Sequence, residues 1–307
     1  MKKSNKLIAI AMSAIFALGA LTGCGGTNGD AQQPQNGGNT TQQDQQNENT
    51  GSTGNKIVVM SREDGSGTRG AFVELTGVEE KNDKGEKVDN TTVDAEITNS
   101  TSVMLTAVAG NPDAIGYISL GALNDTVKAL KIDDVEATAD NIVAGKYALA
   151  RPFNIAVRDD LSDLGKDFID FIMSDEGQQV ITDNGYIAAA SGNTYSGFGE
   201  GKLVVAGSSS VSPVMEKLIE AYKAKNAGAD IELQETDSSS GMSALAEGVC
   251  DIGMASRELK DSELEKGLTP TKIATDGIAV IVSPENTTEN LSLEDLKNIY
   301  IGEKTTW

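Results

Sequence analysis

Three times in this chain a short apolar run gives way to serines, glycines and threonines and then to a helix-periodic segment. Lys56–Met60 (KIVVM) leads into Asp64-Gly65-Ser66-Gly67-Thr68 and a helix starting near Ala71. Lys202–Ala206 (KLVVA) leads into Gly207-Ser208-Ser209-Ser210 and a helix over Pro213–Asn226, and Ile231–Glu235 leads into Asp237–Gly241 and a helix over Met242–Gly248. Ser212 is expected to cap the second of these helices, with Pro213 in its first turn. The same alternation continues elsewhere. Ala114–Ser119, Val127–Ile132, Arg151–Val157, Asp251–Ala255 and part of Ile273–Val282 read as strands; Thr101–Ala109, Leu164–Thr182 and Ser292–Tyr300 read as helices; 79–92 reads as a loop or exposed hairpin. Strands that alternate with helices predict an α/β plan with mainly parallel sheets.

The three junctions share one chemistry. A helix start offers N–H groups without intrahelical partners and about half a positive charge, so it suits an anion. Small residues let the backbone approach a ligand, and hydroxyls donate without adding charge. Arg62 can present a bidentate fork to a tetrahedral oxyanion, with Asp64 placed to hold the guanidinium. The Gly65-Ser66-Gly67-Thr68 run lacks the spacing and the lysine of a nucleotide-binding P-loop.

Composition narrows the function. The chain of 307 residues carries a formal charge of −21, which argues against nucleic acid and anionic membrane as partners. It contains no histidine, so His-based triads and His-ligated zinc are excluded. Its two cysteines, Cys24 and Cys250, form no metal-ligand spacing, and Cys250 reads as a small buried hydrophobe. No catalytic residue, metal or cofactor is expected.

The first 23 residues have the build of an export signal, with Lys2, Lys3 and Lys6 ahead of an apolar run from Leu7 to Leu21. The run ends in Leu21-Thr22-Gly23-Cys24, which resembles a bacterial lipobox and implies lipidation at Cys24. The Gln/Asn/Gly/Thr/Ser stretch that follows is too polar to bury a core, so 24–54 is expected to be a lipidated cysteine and a flexible tether.

Ser61–Phe72 (SREDGSGTRGAF) closely resembles the signature loop of the phosphate-binding receptors of the bacterial Pst phosphate ABC transporter. Ala206–Pro213, Asp251–Leu259, Asp276–Pro284, Asn298–Trp307, Ala114–Leu120 and Phe168–Gly177 resemble further segments of that family. The segments stand in an unusual order: read from 202 to 307 and then from 56 to 190, they regain the usual family layout, which resembles a circular permutation with Ala190–Gly201 joining the old ends. The resemblance implies a type 2 periplasmic-binding fold, two α/β lobes with a ligand cleft between them. Lobe A is expected over 55–150 plus 285–307 and lobe B over 151–284. It implies phosphate held by Ser209, Ser210, Ser238, Ser256, Arg62, Ser66, Gly67 and Thr68. Some family members have an aspartate at the position of Ser256 that accepts the phosphate's proton; here Asp237 and Glu258 are nearby candidates for that role.

The expected protein is a monomeric extracytoplasmic receptor, lipid-anchored to the outer face of the cell membrane. It hands inorganic phosphate to a membrane permease and is not an enzyme. Alternatives are a receptor for another tetrahedral oxyanion such as sulfate, or a sensing or adhesion lipoprotein of the same fold.

Overall fold

The computed structural model describes residues 54–189 and 192–307; the export-signal, lipobox and most of the tether readings lie outside them. Among the described residues the strands are β1 (Val58–Arg62), β2 (Glu79–Lys81), β3 (Lys87–Asp89), β4 (Glu96–Thr98), β5 (Ala114–Ser119), β6 (Lys128–Ala129), β7 (Lys131–Ile132), β8 (Ala150–Val157), β9 (Ile187–Ala188), β10 (Gly201–Ser208), β11 (Ala229–Thr236), β12 (Ile252–Ala255), β13 (Thr269–Val282) and β14 (Asn290–Leu291). The helices are α1 (Gly67–Thr76), α2 (Thr101–Ala109), α3 (Ala139–Val143), α4 (Asp163–Ile172), α5 (Asp175–Asp183), α6 (Ser212–Lys225), α7 (Ser238–Ala246), α8 (Asp261–Leu264) and α9 (Leu293–Tyr300).

One mixed sheet organises the body, in the order β11-β10-β12-β8-β13-β5-β1-β4. Its two flanks are parallel: β10 pairs β11 and β12, and β1 pairs β4 and β5. Between them, β8 and β13 run antiparallel to each other and to the strand on either side. The expectation of mainly parallel pairing therefore holds for each flank and fails at the centre, where two long strands carry the chain across. β13 has fourteen residues, and its side chains change company midway. Ile273 and Ala274 pack with Phe153, Phe168, Leu218 and Tyr222, whereas Ile278, Val280 and Val282 pack with Phe72, Tyr117, Leu296 and Tyr300. Two cores thus lie on either side of the strand crossing.

Several boundaries differ from the sequence reading for local reasons. Leu164–Thr182 is two helices, because Ser174 caps α5 by accepting from Gly177 N while its hydroxyl donates to Phe171 O. α1 starts at Gly67, not near Ala71, and α7 at Ser238, not Met242. Ser212 lies inside α6 rather than capping it, and its hydroxyl donates to Ser208 O. The strand expected over Val127–Ile132 is split into β6 and β7, which pair with β13 and β14 respectively. The 79–92 segment is the exposed hairpin β2–β3. Among the described residues no helix is long and apolar enough to cross a membrane.

Candidate anion site

β1 delivers Arg62 to the carboxyl end of the sheet, the edge at which open α/β sheets receive ligands. The strand's register is locked around it. Tyr117 on β5 stacks on Phe72 with centroids 4.0 Å apart, and its hydroxyl meets Ser61 Oγ at 2.9 Å and accepts from Arg62 N at 3.1 Å. Arg69 Nη1 donates to Arg62 O at 2.9 Å. Arg62 itself is 1% exposed. Its Nε and Nη2 donate to the Glu63 carboxylate at 2.8 and 2.7 Å, and Nη2 also reaches Ser209 Oγ at 3.0 Å. Its Nη1 is buried and finds no hydrogen-bond partner among the described residues.

Asp64 does not hold Arg62. Its carboxylate is 96% exposed and pairs with Arg69 at 2.7 Å. The partner is Glu63: β1 ends at Arg62, so the next residue is free of strand alternation and folds its side chain back.

The expected site residues converge across long sequence separations. Thr68 Oγ1 meets Ser210 Oγ at 2.7 Å, and Ser208 Oγ donates to Ser256 Oγ at 3.0 Å. Ser256 N donates to Ser238 Oγ at 3.1 Å. Ser66 caps α1, accepting from Arg69 N. A Cβ at Gly67 would collide with Ser238 Oγ and Ser256 Oγ, so glycine is what lets the α1 start sit against the opposite flank. Gly65 makes a similar approach to the Asp237 carboxylate.

The three serine-rich junctions are not equivalent. At α7 the Asp237 carboxylate caps the helix, accepting from Ser240 N at 2.9 Å, and Ser239 N donates to Gly65 O at 3.2 Å. After β10, Ser209 N donates to Thr236 O and Ser210 N to Ser208 Oγ. The first-turn amides of Gly67 and Thr68 in α1 are the ones whose helix position leaves them without an intrahelical acceptor and whose cap is a neutral serine. The α1 terminus, Arg62 and a lining of hydroxyls together form an arrangement chemically suited to an anion.

Sequence reasoning missed two neighbours. Thr101, at the start of α2, lies 3.4 Å from Ser209 Oγ and 3.3 Å from Ser210 Oγ through its hydroxyl. Arg257 follows Ser256, donates to Ser239 Oγ at 3.2 Å, and is tied by two bonds of 2.8 Å to Glu263. The suggested acceptors are occupied otherwise. Asp237 caps α7, and Glu258 accepts from Asn154. Cys250 is a buried free thiol, and burial pushes it up to about 11.

A mixed sheet with a core on either side of two crossing strands, and a buried cationic cradle where the flanks meet, defines a binding protein for a small anion. The PBP superfamily domain matches residues 2–176 and 189–307. A phosphate-binding protein PstS 2 of Streptococcus agalactiae is 47% identical over 309 residues, covering 100% of this chain and 98% of the relative. PstS 2 of Streptococcus pneumoniae serotype 4 is 51% identical over 258 residues, covering 83% of this chain and 88% of the relative. A crystal structure of a phosphate-binding protein of a phosphate ABC transporter from Streptococcus pneumoniae TIGR4 is 50% identical, covers 82% of this chain and 98% of that one, and superposes with a TM-score of 0.64. The chain belongs to the PstS phosphate-binding proteins of the PBP superfamily. The Streptococcus agalactiae match runs the whole chain in one direction, so that relative has its segments in the same order.

Proposed function

We propose that this protein binds inorganic phosphate between the two halves of the sheet and delivers it to the permease of an ABC transporter. The observation that carries the reading is Arg62: a fully buried guanidinium with one nitrogen unspent, beside a helix start and a ring of hydroxyls. The names of the streptococcal relatives support the ligand and the transporter.

In this reading Arg62, Ser66, Gly67 and Thr68 hold the anion from one side, and Ser209, Ser210, Ser238 and Ser256 from the other. Asp64 steadies the loop through Arg69. The two halves, taken as residues 55–150 plus 285–307 and residues 151–284, close on the ligand, since contacts from both favour the shut state. In this reading Glu63 shares its carboxylate between Arg62 and the phosphate's proton. The protein acts outside the cytoplasm, held to the membrane through a lipid on Cys24, as a monomeric receptor that catalyses no reaction.

Calorimetric titration of ligand-stripped protein with phosphate and then with sulfate tests the reading. One-to-one binding of phosphate with no sulfate heat supports it. Equal binding of both anions replaces it with a general oxyanion receptor, and no heat with either replaces it with a sensing or adhesion role.

A further inference from the structure

A second buried guanidinium stands near the first. Arg151 on β8 lies directly opposite Asp276 on β13, and both side chains are 1% exposed. Arg151 Nη2 and Nε donate to Asp276 Oδ2 at 3.1 and 3.3 Å, and Ser119 Oγ donates to Asp276 Oδ1 at 3.0 Å. Arg151 also stands 5.3 Å over the Phe153 ring. Its Nη1, like that of Arg62, is buried without a partner among the described residues, and the Tyr186 hydroxyl beside the cluster makes no hydrogen bond of normal geometry.

These groups lie on four neighbouring strands. β1 ends at Arg62, its neighbour β5 ends at Ser119, the next strand β13 carries Asp276, and the next, β8, carries Arg151. Strands in a sheet lie about 4.8 Å apart, and the register sets Asp276 three residues along β13 from Ala279, which is level with Arg62, so the two arginine backbones are roughly 17 Å apart and two long side chains cover part of that distance. Burial lowers the Arg151 pKa, Asp276 opposes that, and the charge on Arg62 adds to the lowering, which sets the two cations within electrostatic reach. Burial pushes the Asp276 carboxyl up to about 6 in spite of Arg151.

We infer that Arg151, held in place by Asp276, is a second cationic determinant of the anion site, adding to the field that draws the ligand to Arg62. The inference rests on the phosphate reading above. Arg62 is matched in charge by Glu63, and the whole chain carries −21. An anion entering this site therefore gains from any further buried positive charge, and such a charge acts in the interior over distances that water would screen.

The test titrates the full chain and its Arg151→Gln, Arg151→Lys and Asp276→Asn variants with inorganic phosphate, and melts each with and without phosphate. Arg151→Gln is expected to weaken binding about tenfold, and Arg151→Lys to keep most of the affinity. Asp276→Asn unmasks the Arg151 charge, so it tightens binding and enlarges the phosphate-induced rise in melting temperature. That opposite sign is one a damaged fold does not produce, and it decides the matter even if Arg151→Gln fails to fold. A folded Arg151→Gln with wild-type affinity, or an Asp276→Asn that weakens binding, overturns the inference alone. A wild type that binds no phosphate overturns the phosphate reading and this inference with it.

Discussion

Arg62 and Glu63, neighbours in sequence, form a two-pronged ion pair of 2.8 and 2.7 Å inside the site, while Asp64 points to solvent. The pair presents the guanidinium with one edge spent and one edge free. Arg62→Ala should reduce phosphate affinity by a hundredfold or more, and Arg62→Lys should recover little, because an ammonium cannot reproduce the planar fork. Calorimetry on both variants checks this, and binding within a few-fold of wild type would sink the site.

Glu63 is expected to govern selectivity. A neutral amide at that position can donate to either anion but is a poorer acceptor for the phosphate's proton, so Glu63→Gln should shift the phosphate-to-sulfate ratio about tenfold toward sulfate. Competition between the two anions measures the ratio, and an unchanged value places the acceptor elsewhere.

Gly67→Ala places a methyl against Ser238 Oγ and Ser256 Oγ. The α1 start can then no longer seat against the opposite flank, and affinity should fall tenfold or more, a loss of about 1.4 kcal/mol or above. Titration beside a melting curve separates this from unfolding, since the residue opens a helix in which alanine is otherwise favourable.

The Glu263 carboxyl is pushed up by burial, but its bonds from Arg257 and the Lys260 amide outweigh that and hold it below its usual 4.5. A depressed carboxyl stabilises the fold above its unfolded pKa, and that contribution is lost as pH falls through the folded value. Glu263→Gln should therefore cost about 2 kcal/mol at pH near 7 and progressively less in acid. Thermal unfolding of both proteins across that range gives the answer; a gap that does not narrow in acid refutes it.

Tyr195, in the segment that joins the two sequence halves, donates to Asp167 Oδ2 at 2.6 Å and accepts from Asn226 Nδ2 at 2.9 Å. Tyr195→Phe should lower stability by about 1–2 kcal/mol and leave phosphate affinity unchanged. Denaturant unfolding and one titration suffice to check both halves of that statement.

Strands were legible in the sequence because runs such as KIVVM and KLVVA are apolar on both faces, as buried parallel strands must be. Helix starts were less so: Gly67-Thr68 and Ser238-Ser239-Ser240 read as loop by composition, yet they occupy first turns where small polar residues are tolerated. The gathering of Arg62, Thr68, Ser209, Ser210, Ser238 and Ser256 was reachable through the family resemblance, whereas Thr101 had no local signal. Its proximity to Ser209 and Ser210 joins residues more than a hundred positions apart, which only the tertiary fold brings together. Asp64 was misjudged because sequence spacing says nothing of where a strand stops, and β1 stops one residue before Glu63.

Residues 55–57 meet residues 305–307. Lys56 bridges to Thr306, Ile57 N donates to Thr305 O, and Trp307 N donates to Asn55 O. Ile57 and Trp307 both pack into the core that contains Phe72 and Tyr300. Mechanically, a pull applied between these two segments falls first on one short seam at the rim of that core, made of a bridge and two backbone bonds.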